Sequence, residues 1–315
     1  MLKDLYRCSP LPWLITALVF AIVIWAGPFL ASSGMEGVGA FGFSHSVKQT
    51  LSLFLIILNV FLFRKFIDMT SILKTGERLS MYPLILLSSL CLVGMNGIIE
   101  LLAISLQLLV LIRTFNGIAT GSLGRAAFDS GLIMAFASLL NPVYAFLLII
   151  FIAIAFIHAM LNIKVLLISL IGLAVPFLIY SQVAYLLEFP MIPAVMIRER
   201  GSMPATSQGN LFLIFFLLVL IGVLLYNLYL SFSVMGTGQV RRRMLIRSGF
   251  SMLGITIALG FLSSLTGYGP SPHLAMIPGL CILCLEFMKN HKSKWESYLF
   301  LAWAGMTLAF VWLAS

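Results

Sequence analysis

The chain reads as long apolar runs separated by short polar or glycine- and proline-bearing breaks. A membrane-crossing helix needs roughly 17–25 consecutive apolar residues, because each residue rises about 1.5 Å and the hydrocarbon layer is about 30 Å thick. On that measure the pattern predicts spans over residues 11–30, 49–65, 164–187, 210–232, 249–268, 273–288 and 296–314. The run 79–112 is too long for one crossing and breaks at Gly94-Met95-Asn96-Gly97, which predicts a tight helical hairpin. A second hairpin covers 127–163 and turns at Asn141-Pro142, with a first arm of about 15 residues that is short for a full crossing. The expected fold class is therefore all-α, a polytopic transmembrane helix bundle of about eleven spans, or about nine if the 127–163 hairpin is re-entrant. It forms a single helical domain over residues 1–315, and the longest segments outside the spans, 31–48 and 188–209, are loops.

Composition agrees with that pattern. Of 315 residues, 61% are hydrophobic and 9% charged, where a soluble globular chain carries about a quarter charged residues. The mean hydropathy is +1.11. Too little polar surface exists to cover a water-soluble particle of this size, so lipid is the expected solvent and membrane lipids the expected partners. The Lys3 and Arg7 start followed by the 11–30 run predicts a retained first span rather than a cleaved leader.

The net charge of +9 gives the bundle a direction. With the N-terminus in the cytoplasm, the inner side receives Lys3, Arg7, Arg64, Lys65, Lys74, Arg78, Arg113, Arg125, Lys164, Arg241, Arg242, Arg243, Arg247, Lys289, Lys292 and Lys294, sixteen of the 19 basic residues. Lys48, Arg198 and Arg200 fall outside. The excess of cytoplasmic Lys and Arg that orients membrane proteins accounts for the basicity without nucleic acid. An odd span count places Ser315 outside.

Motifs with chemical potential are few. Gly37 to Gly42 fits G-x-G-x-x-G, but no strand precedes it and no βαβ unit surrounds it, so it reads as a flexible loop. Cys281 and Cys284 form a C-x-x-C within an apolar run and lack a second ligand pair, so they read as small buried hydrophobes rather than a metal site. No cofactor is implied. Asp129 follows Arg125 by four residues, a spacing that puts both on one helix face as a structural ion pair at the inner interface. Glu100 lies just inside the outer start of its span. His158 and Glu286 near inner span ends are expected to snorkel to water. Asn59, Gln107, Gln182 and Asn227 are expected to bond between helices. No column of carboxylates runs through the spans, which disfavours an ion pump.

The outer loop from Glu188 to Gln208 is the most distinctive segment, stiffened by prolines and carrying Arg198 and Arg200 around Glu199. With Glu36, His45, Glu100 and His273 it could line one outer pocket, the arginines holding the phosphates of a lipid-linked substrate. The alternative is ordinary loop charge at the water interface.

Arg113-Thr114-Phe115, Arg125 to Gly131, Ala135 to Pro142, Gly172 to Pro176 and Pro272 to Pro278 with the following lysine-rich turn and Trp295-Glu296 resemble a multi-pass inner-membrane family of Bacteroidota to which no activity is assigned. The resemblance runs from about the second span onward and implies an inner-membrane location. More loosely, the chain is similar to multi-span polyprenyl-phosphate-dependent glycosyltransferases in span count and hairpin style. Those enzymes use an acid in the first outer loop, where this chain has only Glu36 and no second acid. Three classes follow: an accessory or scaffold component of envelope biogenesis, in company with other envelope membrane proteins; a transferase using Glu36, Arg198, Arg200 and His273; and a carrier or flippase for a lipid or small solute.

Overall fold

The computed structural model describes residues 45–70, 82–89, 97–140, 142–188, 240–266, 277–289 and 301–307, with isolated positions in 19–26, 222–235 and at 309. All secondary structure among these residues is helical. The elements are α1 (His45–Thr70), α2 (Tyr82–Ser89), α3 (Gly97–Thr120), α4 (Leu123–Leu140), a 3-10 turn (Pro142–Leu147), α5 (Leu148–Ile157), α6 (Ile163–Leu186), α7 (Val240–Thr266) and α8 (Ile277–Lys289). Among the described residues, three helical stretches are long and apolar enough to cross a membrane: Gln49–Thr70, Glu100–Thr120 and Ile163–Leu186. Leu148–Ile157 is a shorter apolar helix.

Helix directions follow from which residues meet. Asn59 of α1 reaches Leu101 and Ser105 of α3, and one heptad further on Phe66 meets Phe115, so α1 and α3 run the same way. α3 and α4 form an antiparallel hairpin, since Gly117 packs against Ala126 while Arg113 reaches Asp129. α4 and α6 run parallel, Gly124 lying beside Ile168 and Phe128 beside Gly172. α7 and α8 are antiparallel, with Gly249 at Ile282 and Gly279 at Met252.

Two connections show how the sequence stops and starts helices. Between α3 and α4 only Gly121 and Ser122 remain, and Gly121 takes φ +71°, a left-handed value that costs glycine little. The residues 113–126, expected as an inner loop, are therefore helical apart from this turn. α4 gains a turn at its start and reaches 18 residues, about 27 Å, where a shorter arm is expected.

α5 ends in a left-handed cap. The Met160 N–H donates to the Ala155 carbonyl and the Ala159 N–H to the Phe156 carbonyl, with Ala159 at φ 54°. Asn162 then caps α6, its side chain accepting from the Val165 N–H at 2.8 Å. Alanine is strained in the left-handed region where glycine is not. Ala159→Gly is accordingly expected to raise stability by about 1 kcal/mol, read as a higher melting temperature in detergent; an unchanged or lower value counts against the strain.

The core is built of packed aliphatic side chains on α2, α3, α5 and α8, and includes Phe63, Phe66, Tyr144, Phe151 and Trp303, all nearly solvent-free. α6 is different: Leu167, Leu170, Ile171, Leu178, Ile179 and Leu186 are exposed, leaving a broad apolar flank on a helix of membrane-crossing length. In water such a surface would be a liability, and in a bilayer it is where acyl chains lie.

Where α4 and α6 cross, no side chain separates the backbones. A Cβ on Gly131 would collide with the Ser169 carbonyl oxygen and lie 2.9 Å from the Leu173 nitrogen, and a Cβ on Gly172 would collide with the Phe128 carbonyl. Small residues at such crossings let helices approach closely enough for dispersion to replace the hydrophobic drive that lipid removes. Pro176, one turn beyond Gly172 in α6, has no N–H to give the Gly172 carbonyl.

Candidate functional site

The charged end of the bundle assembles first. Arg64 and Lys65 near the end of α1, Arg113 on α3, Arg125 on α4 and Lys164 at the start of α6 come to the same end, because α1 and α3 finish where α4 and α6 begin. Within α1 Arg64 pairs with Asp68 at 3.5 Å.

Asp129 sits at this end, but its partner is not the one that spacing suggests. Its Oδ2 lies 3.6 Å from Nε of Arg113, across the α3–α4 hairpin, while Arg125, four residues earlier on the same helix, is exposed and makes no ion pair with it. The expected Arg125–Asp129 pair is thus replaced by an interhelical one. The two-residue turn brings α3 within reach and keeps Arg113 on a helix instead of in a loop. Both members are half-exposed, at 57% and 42% of their side chains, so water screens the pair. A double-mutant cycle with Arg113→Gln and Asp129→Asn is expected to return a coupling of about 0.2–1 kcal/mol that shrinks in high salt. A coupling at Arg125 instead of Arg113 would restore the same-helix pair.

His158, at the end of α5, is half-buried. Its ring stands edge-on to Phe115 with centroids 5.4 Å apart, Phe115 in turn stands edge-on to Phe66, and Phe66 stacks on Phe63. Its Nε2 is shut from solvent without a hydrogen-bond partner.

The interior carries polar groups of two kinds. Most are satisfied. Asn59, fully buried, donates from Nδ2 to the Leu101 carbonyl at 3.1 Å and accepts from Ser105 Oγ at 2.7 Å, tying α1 to α3. Thr114, Ser138, Ser169, Thr256 and Thr307 donate to carbonyls of their own helices. Gln107, expected to bond between helices, does not: it is 2% exposed and neither Oε1 nor Nε2 has a partner. Gln182 is exposed. Glu100, in the first turn of α3, is partly buried, and its Oε2 is enclosed without a partner.

Of the outer-pocket candidates, Glu36, Arg198, Arg200 and His273 lie outside the described residues, as does the Gly37–Gly42 loop; His45 starts α1. Glu100 is the member of that set with a described side chain. Cys281 and Cys284 are fully buried free thiols in α8. No group of three His, Cys, Asp or Glu side chains placed to hold a metal occurs among the described residues. The chain matches no protein-family model, no curated protein and no solved structure.

Proposed function

We propose that the chain is a multi-pass protein of a bacterial inner membrane, of about eleven spans with the N-terminus in the cytoplasm, acting as a non-catalytic accessory or scaffold component of cell-envelope biogenesis. The observation that carries the reading is the use to which buried polarity is put. Asn59 and Ser105 lock one helix to another, the hydroxyls of Thr114, Ser138, Ser169 and Thr256 close on the backbones of their own helices, and Gly131 and Gly172 bring two backbones together. These groups build a rigid frame. The basic residues gathered where α1 and α3 end and α4 and α6 begin favour that end as the cytoplasmic one. The likeness to the Bacteroidota inner-membrane family supports the location. Its partners on this reading are membrane lipids and other envelope proteins, with no nucleic acid.

Purification of the tagged chain in mild detergent, with mass spectrometry of both proteins and lipids, tests the role. Stoichiometric envelope proteins are the expected result. A polyprenyl lipid recovered without protein partners would overturn it in favour of a transferase. For the orientation, a reporter fused after Ser315 is expected to be active only outside the cytoplasm; cytoplasmic activity would defeat the eleven-span arrangement.

A further inference from the structure

Arg125 and Lys164 stand on neighbouring parallel helices and turn to the same side. On α4, Gly124, Phe128 and Gly131 meet α6, and Arg125 is one residue, about 100°, beyond Gly124. On α6, Ile168, Ser169 and Gly172 meet α4; the buried Val165 stands on their face, and Lys164 is one residue before it. Where two parallel right-handed helices face each other, one step forward on the first and one step back on the second lead to the same flank. Both basic residues are exposed there. Gly124 lies level with Ile168, so about 7 Å of axis separates Arg125 from Lys164, and the Arg125 side chain leans back toward the helix start and closes that gap.

Deeper in, the same flank turns apolar. Leu132 and Phe136 follow Arg125 by seven and eleven residues on α4, and Ile171 and Val175 follow Lys164 by the same steps on α6. Those steps return to one side of a helix, about 10 and 16 Å along it. Phe136 and Ile171 are more than half exposed, and Leu132 and Val175 are partly exposed. The close crossing at Gly131 and Gly172 draws the two helices together, so the four side chains form one surface. Asp129, one turn beyond Arg125 on α4, is engaged by Arg113 at 3.6 Å.

We propose that this flank of α4 and α6 binds an anionic glycerophospholipid, with Arg125 and Lys164 on its phosphate and an acyl chain along Leu132, Phe136, Ile171 and Val175. The layout of the flank carries the inference. Two exposed cations at a helix end, followed by an exposed apolar strip on the same side, repeat the order of charge and hydrocarbon in such a lipid. A soluble phosphate would use the cations and leave the strip uncovered. The site rests on membrane residence, not on the accessory role, and would stand if that role failed.

Photocrosslinking of the full-length chain tests it, with Phe136→p-benzoylphenylalanine in vesicles of phosphatidylglycerol and phosphatidylethanolamine in equal amounts. Mass spectrometry of the adduct identifies the lipid. Phosphatidylglycerol is expected to exceed phosphatidylethanolamine by about fivefold for each basic residue, about 25-fold for the two. Arg125→Gln with Lys164→Gln should bring the ratio close to one. Lys65→Gln with Arg247→Gln removes the same charge from exposed positions on α1 and α7 and should leave the ratio unchanged. A ratio near one before neutralisation, or an equal fall with both pairs, overturns the proposal. Loss of the adduct to excess glycerophosphoglycerol, the headgroup without its chains, would assign the cations to a soluble phosphate and also overturns it. If the neutralised pair fails to fold, Phe54→p-benzoylphenylalanine supplies the comparison. Phe54 is exposed on α1, eleven residues from Lys65 as Phe136 is from Arg125. A higher ratio at 136 than at 54 supports the site, and equal ratios overturn it.

Discussion

Gly172→Ala is expected to destabilise the bundle by about 3 kcal/mol, the upper range for overpacking, despite alanine's better helix propensity. The added methyl meets the Phe128 carbonyl and approaches the Leu132 nitrogen to 3.2 Å. These are backbone atoms, so no rotamer change can make room and α4 must move away from α6 as a body. Gly131→Ala carries the same expectation from the other side of the crossing. Gly124→Ala supplies the control within the same helix pair: its methyl would meet only the Ile168 Cδ1 at 3.7 Å, ordinary contact, so a change within about 1 kcal/mol is expected. Melting in detergent and the yield of monodisperse protein measure all three. Similar melting of the Gly124 and Gly172 variants would mean that the close crossing does not hold the bundle.

Asn59→Asp is expected to cost about 3 kcal/mol, the scale for an acid at the centre of a membrane helix. The site is solvent-free, and the substitution replaces the donor to the Leu101 carbonyl with an oxygen that repels it. Asn59→Leu should cost less, about 1–2 kcal/mol, because it removes the bonds without burying a charge. Ser105→Ala should cost least, since the Asn59–Leu101 bond survives it. Equilibrium unfolding in mixed micelles should give the order Asp, Leu, then the serine variant. Equal losses for Asp and Leu would show that water reaches position 59.

The two residues of the α3–α4 turn show where local reading of the chain fails. Arg113 and Arg125 look like loop charges because charged residues interrupt the apolar pattern. A helix can carry them on its outer side, however, and only the position of Gly121 decides where the chain reverses. The same shift explains Asp129. Spacing offers Arg125 as a partner at i−4, but the hairpin presents Arg113 across the gap. His158 shows a related limit: its place near a span end suggests access to water, and only the fold shows that Phe115 stands against the ring and that Nε2 is enclosed.

The start of α6 was legible from the apolar run that opens at residue 164, and the structure adds the Asn162 cap. So was the break at Pro142, where a 3-10 turn replaces the helix, and α3 starts at Gly97, while Gly94, Met95 and Asn96 of the expected turn lie outside the described residues. Membrane residence follows from composition alone, since no fold can hide an apolar majority behind 9% charge.

The sequence by itself thus determined the solvent of this protein, its helical class and several helix ends, because these depend on local chemistry and on totals. Only the tertiary structure decided which buried polar groups are satisfied. Asn59 and Gln107 are indistinguishable as amides in apolar runs, yet one completes its bonds and the other does not. The difference lies in which helix stands opposite, and that is a property of packing rather than of the neighbouring residues.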